Sequence, residues 1–139
     1  KLGYSNVTFV EGDIEAMPLP ENHYDVVISN CVINLVPDKQ KAFAEIMRVL
    51  KPQGHFCISD VVLKGALTDE MRSDVEAYAG CVAGAIDYSD YINLISETGF
   101  EDIRVEREKR IEVPENLTPL PSGDETGGVY SITVSALKP

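Results

Sequence analysis

The sequence predicts an α/β fold in which a largely parallel sheet is flanked by helices. Short apolar segments alternate with segments whose apolar residues recur at helical spacing. This strand–helix–strand rhythm is typical of parallel sheets with right-handed crossovers. The predicted order is strand, strand, helix, strand, helix, helix, strand, strand, and a chain of 139 residues fits one domain over residues 1–139.

Two of the predicted strands show different burial patterns. Residues 24–29 carry the consecutive apolar run Val26, Val27 and Ile28, as in a strand covered by helices on both faces. Residues 130–136 alternate apolar residues with serine and threonine, which indicates a half-exposed strand, antiparallel to its neighbours after a long connection. The other predicted strands are residues 6–10, 55–62 and 100–108.

Three further segments are predicted to be helices. Asp38 is a suitable N-cap for a helix over residues 39–50, and Thr68 for the next helix. Gly99 is placed to end a last helix over residues 89–98. The buried positions of these helices include Phe43, Ile46, Met47, Leu50, Met71, Val75, Tyr78, Val82, Tyr91, Leu94 and Ile95.

Charge and composition argue against several classes of partner. The net charge of −11, from 23 acidic and 12 basic residues, repels nucleic acid and anionic membrane surfaces. The apolar runs are too short to cross a bilayer, and no segment resembles a signal peptide, so we expect a cytoplasmic location. With two histidines and no paired cysteine motif, a zinc site is not expected.

The chemistry of an open α/β sheet is expected beyond the carboxyl ends of its strands. These ends are residues 11–14, 29–31 and 59–60. The carboxylate of Asp13 is suited to accept a hydrogen bond from an exocyclic amine such as that of adenine, with Ile14 as an apolar wall. Gly-Asp is also a common turn pair, so on this evidence alone a turn role is the stronger interpretation of Asp13. A turn role is also favoured for Asp60 over one in orienting a bound group.

Three segments resemble, in order, successive motifs of class I methyltransferases. They are VEGDIEAMPLP at residues 10–20, YDVVISN at residues 24–30 and RVLKPQG at residues 48–54. The resemblance implies a Rossmann-like sheet that binds S-adenosylmethionine through Asp13, Ile14 and Asn30. The glycine-rich loop and the ribose-binding acidic residue of that family have no counterpart here. We therefore expect a partial sheet that lacks the first βαβ unit.

Two more segments resemble the arsenite methyltransferases of this superfamily. They are SNCVINLVPDK at residues 29–39 and YAGCVAGA at residues 78–85. In that family both cysteines bind trivalent arsenic, which implies this role for Cys31 and Cys81. The resemblance also implies a methyl transfer from S-adenosylmethionine to arsenite, serving detoxification, with no metal cofactor. Its substrate is a small arsenical, free or as a thiol conjugate.

The chemistry of cysteine leaves two interpretations of these thiols. Thiolates are soft ligands that suit a thiophilic centre, and Cys31 follows a strand at the edge where the methyl donor is expected. Lone cysteines are more often small core residues, and we accept that interpretation for Cys57. Two other functions stay open: a methyltransferase acting on another small molecule, and a fragment that is inactive by itself.

The absent first unit also predicts an exposed sheet edge. The strand at residues 24–29 would lose a neighbour, and an unpaired apolar strand attracts another one. We expect either that residues 7–10 pair with it or that two chains associate as a homodimer.

Overall fold

The structure, a computed structural model, describes residues 3–64, 86–111 and 128–139. In these ranges four strands form one sheet. The strands are β1 (Tyr24–Asn30), β2 (Leu50–Lys64), β3 (Glu101–Arg110) and β4 (Gly128–Leu137). Their order is β1–β2–β4–β3, with β1 parallel to β2 and β4 antiparallel to both of its neighbours. The prediction of an antiparallel last strand is therefore confirmed.

Two predicted helices have the expected ends. Helix α1 (Lys39–Val49) begins after Asp38, whose Oδ1 accepts a hydrogen bond from the Lys41 N–H at 3.1 Å. Helix α2 (Tyr88–Thr98) ends at Gly99, which adopts the left-handed conformation with a φ of 110°. A short 3-10 helix over Ile33–Leu35 joins β1 to α1. Capping residues read from the sequence thus place both helices to within one residue.

One face of the sheet packs against both helices. The aromatic ring of Phe43, from α1, lies 6.0 Å from that of Phe56 on β2 and 5.6 Å from that of Tyr91 on α2. All three side chains are at least 99% buried, and burying each contributes about 1.5–3 kcal/mol. This cluster holds α1, α2 and β2 in one core.

The strand predicted at residues 6–10 is wrong. These residues form no strand and no ladder with β1, whose partner within the described ranges is β2. Val7, Phe9 and Val10 are 50%, 95% and 54% exposed, so neither backbone pairing nor burial stabilises an extended segment here. The alternative in which residues 7–10 pair with the open edge is wrong for the same reason.

The outer face of β1 is also more exposed than predicted. Val27 packs against the core, whereas its neighbours Val26 and Ile28 are 46% and 78% exposed. Side chains of a strand alternate between faces, and α1 and α2 cover the same one. Within the described ranges no helix covers the other face of β1, which corrects the expectation of helices on both sides.

Two of the predicted features lie outside the described residues. The helix expected after Thr68, with Tyr78 and Cys81, belongs to residues 65–85, and most of the long connection belongs to residues 112–127. Within the described ranges, no helix is both long enough and apolar enough to cross a membrane.

Replacing Gly99 with alanine is expected to destabilise the fold by about 1–2 kcal/mol, the usual cost of a left-handed conformation for a residue with a Cβ. An added Cβ would meet Cε of Met47 at 3.6 Å, an ordinary contact, so the cost comes from the backbone. Urea unfolding measures it. The control is Ser96→Ala, an exposed position on α2 that should lose no stability. Equal stability of the two variants would contradict this role of Gly99.

Candidate active site

Cys31 lies directly beyond the carboxyl end of β1. Its φ of 55° is in the left-handed region, which non-glycine residues adopt at a cost of roughly 1–2 kcal/mol. Its N–H donates to the carbonyl of Ser59 on β2 at 2.8 Å, and the residue is half-buried. Strained residues held by their surroundings are frequent at functional sites. The turn therefore keeps this thiol at the carboxyl end of β1, beside Ser59 of β2.

Next to this turn, a carboxylate is buried in the core. Asp60 of β2 and Tyr91 of α2 are 0% and 1% exposed. The Tyr91 hydroxyl donates to Oδ2 of Asp60 at 2.6 Å, and the N–H of Asn34 donates to Oδ1 at 3.4 Å. Three elements thus meet at one carboxylate: β2, α2 and the segment that follows Cys31.

The burial of Asp60 changes its acid–base behaviour. Removal from water raises the pKa of Asp60 to about 6, although the hydrogen bonds from Tyr91 and Asn34 and the charge of Lys39 lower it in part. Burial, followed by the charge of Asp60, raises the pKa of Tyr91 above its ordinary value. The charge of Cys31 raises it too, so this thiol and the phenol interact electrostatically. The phenol stays protonated and remains a hydrogen-bond donor.

The turn role predicted for Asp60 is wrong, because the residue lies within β2. The sequence carries a signal that would have shown this. Phe56, Ile58, Asp60 and Val62 occupy alternate positions, and all four face the helices and are buried. A single acid on an otherwise apolar strand face indicates a buried carboxylate with hydrogen-bond partners. The prediction that Tyr91 lies on the buried face of α2 is confirmed. Its hydroxyl also donates a hydrogen bond to Asp60.

Asp13 and Ile14, the residues expected to contact adenine, lie in a loop that borders a pocket. Asp13 makes a turn, since its Oδ1 accepts from the Glu15 N–H at 2.9 Å. Asp13 and Ile14 also line a pocket of about 210 Å³. The other lining residues are Val10, Gly12, Met17, Pro18 and Leu19. A Cβ on Gly12 would lie 2.4 Å from Cδ of Pro18, so glycine is required where this loop folds back.

Helix α1 fixes this loop. The guanidinium of Arg48 donates to the carbonyls of Leu19 and Met17 at 2.8 and 2.9 Å. Glu45 accepts from the Met17 N–H at 3.1 Å and pairs with Arg48 at 2.7 Å. Arg48 belongs to the methyltransferase-like segment at residues 48–54. That segment therefore holds the loop of the methyltransferase-like segment at residues 10–20.

A separate hydrogen bond connects the loop to the start of α1. Glu15 accepts from the N–H of Asp38, the N-cap residue of that helix, at 3.0 Å. The loop of Asp13 and Ile14 and the segment that follows Cys31 are thereby joined at the N-terminus of α1.

The remaining predicted residues are distributed as follows. Asn30 is exposed at the last position of β1, and Cys57 is half-buried within β2. The buried Ser29 Oγ has no hydrogen-bond partner within the described ranges. Cys81 lies outside these ranges. Among the residues that the structure covers, no group of three His, Cys, Asp or Glu side chains is arranged to hold a metal ion.

The fold and this edge together define a class of protein. A parallel β1–β2 pair, an antiparallel β4 beside it and helices on the sheet form part of a Rossmann-like class I methyltransferase fold. Residues 1–111 match the family described as "Methyltransferase domain", and the chain belongs to this family. The predicted fold class is thereby confirmed.

Several individual proteins that the chain resembles are arsenite methyltransferases. An arsenite methyltransferase of Aquipseudomonas alcaligenes is 36% identical over 99% of this chain and 40% of its own length. One from Halobacterium salinarum is 38% identical over 96% of this chain and 34% of its own length. The crystal structure of an arsenic(III) S-adenosylmethionine methyltransferase from Chlamydomonas reinhardtii matches with a TM-score of 0.75 and 34% identity, over 98% of this chain and 45% of that one. The predicted resemblance is confirmed, and the chain spans less than half of each of these relatives.

Asp60 is expected to make folding pH-dependent in a defined direction. Its pKa in the folded chain, about 6, exceeds the ordinary value of 3.8. The stability that it contributes is therefore present below the ordinary value and is lost as the pH rises through the folded value. Relative to the wild type, Asp60→Asn should gain about 2 kcal/mol of unfolding free energy between about pH 4 and pH 7.

Urea unfolding at several pH values measures this difference. Ser59→Ala, which removes an adjacent neutral hydroxyl, should keep the wild-type pH dependence. A constant difference between Asp60→Asn and the wild type across the same range would show that the carboxylate does not titrate as described.

Proposed function

We propose that the whole protein transfers methyl groups from S-adenosylmethionine to trivalent arsenic, a detoxification reaction. The position of Cys31 carries the proposal, because its thiol follows β1 at the edge of the sheet where ligands of such folds bind. Support comes from the arsenite methyltransferases that the chain resembles over almost all of its length. The proposed substrate is a small arsenical, free or carried by a thiol.

Cys31 and Cys81 are the proposed arsenic ligands. Sulfur is a soft donor and suits a soft, thiophilic centre such as As(III). In the proposed reaction the arsenic lone pair attacks the sulfonium methyl group. An As–C bond forms as the S–CH₃ bond breaks. The electron pair of the broken bond stays on sulfur, which becomes a neutral thioether, and the positive charge passes to the methylated arsenic. The methyl donor brings its own leaving group, so the protein acts by positioning and by excluding water.

Asp13, Ile14 and Asn30 are the proposed contacts to S-adenosylmethionine, the co-substrate. Asp13 would accept a hydrogen bond from the adenine amine, and Ile14 would pack against the ring. Both line the pocket that Arg48 and Glu45 stabilise from α1, which supports these roles. Asn30 would lie under the methionine end, and its exposure at the last position of β1 is consistent with this. No metal cofactor is part of the proposal.

Arsenite affinity is expected to depend on two of the three thiols. Cys31→Ser and Cys81→Ser should each weaken As(III) binding at least tenfold, because a hydroxyl is a poor ligand for a soft centre. Cys57→Ser is the matched control and should bind as the wild type does. Titration with arsenite, followed by mass spectrometry of the intact protein, measures the affinity. Unchanged binding in both Cys31→Ser and Cys81→Ser would end the arsenic proposal.

Residues 1–139 alone are expected to bind S-adenosylmethionine weakly and to be inactive by themselves. The sequence has the proposed adenine and methionine contacts but no glycine-rich loop of this family. Equilibrium dialysis with labelled S-adenosylmethionine tests this, with Asp13→Ala as the matched variant. Micromolar binding by the chain alone, lost in Asp13→Ala, would show that this segment carries a sufficient site. In a separate activity assay of the whole protein, methyl transfer in the absence of arsenic would favour another small molecule as the substrate.

A further inference from the structure

The segment that carries Cys31 is attached to β2 at two points. At its start, the N–H of Cys31 donates to the carbonyl of Ser59 at 2.8 Å. Three residues later, the N–H of Asn34 donates to the side chain of Asp60 at 3.4 Å. Ser59 and Asp60 are consecutive, so one short stretch of β2 sets the path of residues 31–34. The first bond is a main-chain contact, whereas the second depends on the identity of a side chain.

Tyr91 holds that side chain from the opposite direction. Its hydroxyl donates to Oδ2 of Asp60 at 2.6 Å, which leaves Oδ1 for Asn34. The Tyr91 ring packs edge-on against Phe43 of α1, with 5.6 Å between ring centroids. A ring that is packed in this way cannot move its hydroxyl far from Asp60. The carboxylate is therefore fixed by α2 and, through the core, by α1.

The charged groups around Asp60 come from each element packed against it. Lys39 at the start of α1 interacts with the carboxylate, and its Nζ donates to the carbonyl of Val36 at 3.0 Å. Tyr91 faces it from α2 and also interacts with the charge of Cys31. Asp60 itself is 0% exposed and has no access to a substrate in solution. Asp60 therefore acts on chemistry at this edge through the groups that it holds and through its charge.

We propose that Asp60 is a positioning residue for Cys31. Its buried carboxylate, held by Tyr91, binds the main chain at Asn34 and thereby fixes the left-handed turn that presents the thiol. Tyr91 forms a pair with Asp60, and its hydroxyl acts by orienting the carboxylate. The role of the thiol in arsenic chemistry rests on the proposed function. The link from Asp60 to Cys31 is independent of it and is open to a separate test.

The reactivity of Cys31 in the full chain reports this link. The measurement is the rate of alkylation by iodoacetamide between about pH 5 and pH 9, followed by peptide mass spectrometry, with Cys57 as the internal reference. In the wild type, the ratio of the Cys31 rate to the Cys57 rate should show an inflection near pH 6, where Asp60 gains its charge. A ratio without this inflection in the folded wild type would overturn the proposal.

The variants separate positioning from a merely structural role. Asp60→Asn should lose the inflection and change the ratio at least threefold at neutral pH. Tyr91→Phe keeps the ring but removes the hydrogen bond that lowers the pKa of Asp60, so its inflection should move to higher pH. Tyr88→Phe and Asp90→Asn, matched changes on α2, should keep the wild-type profile. Identical profiles in Tyr91→Phe and Tyr88→Phe would contradict the role of the pair.

Arsenite titration of the same proteins distinguishes this proposal from the proposed function. If Cys31→Ser binds arsenite as the wild type does, the role of Cys31 as an arsenic ligand fails and the alkylation result still decides the role of Asp60. If the alkylation ratio shows no inflection while arsenite binding requires Cys31, the positioning role fails and the proposed function stands.

Discussion

The hydrogen bond from Tyr91 to the buried carboxylate of Asp60 is the interaction on which this edge of the sheet depends. A carboxylate in an apolar core is stable only with partners, and here the partners come from α2 and from the segment after β1. The same contacts that satisfy the carboxylate therefore determine where Cys31 lies. Removal from water raises the pKa of Asp60, and these contacts offset that shift in part.

The surroundings of the thiol suit a reaction governed by placement. Cys31 is half-buried and its backbone is held in a left-handed turn, while the loop of Asp13 is fixed to α1 by Arg48, Glu45 and Glu15. In the proposed reaction the methyl donor is already activated, so the distance and angle between arsenic and the sulfonium methyl decide the rate. A thiol on a mobile loop would leave that geometry undefined, whereas hydrogen bonds to β2 constrain it.

The sequence predicted the elements whose signals are local. The Asp38 and Gly99 caps located both helices, and the alternation of residues 130–136 located an antiparallel strand. It failed where tertiary contacts decide. The apolar residues 6–10 resemble a strand, but a strand requires a pairing partner, and these residues have none within the described ranges. The alternation of residues 56–62 indicates that Asp60 is buried, but no local pattern identifies its partners, which lie 26 and 31 positions away.

The most direct test of the central claim is the arsenic coordination in the whole protein loaded with arsenite. X-ray absorption at the arsenic edge distinguishes sulfur from oxygen neighbours. As–S scattering is expected in the wild type; it should diminish in Cys31→Ser and in Cys81→Ser and be unchanged in Cys57→Ser. A spectrum with oxygen neighbours alone, or sulfur scattering that survives both of the first two substitutions, would contradict the central claim.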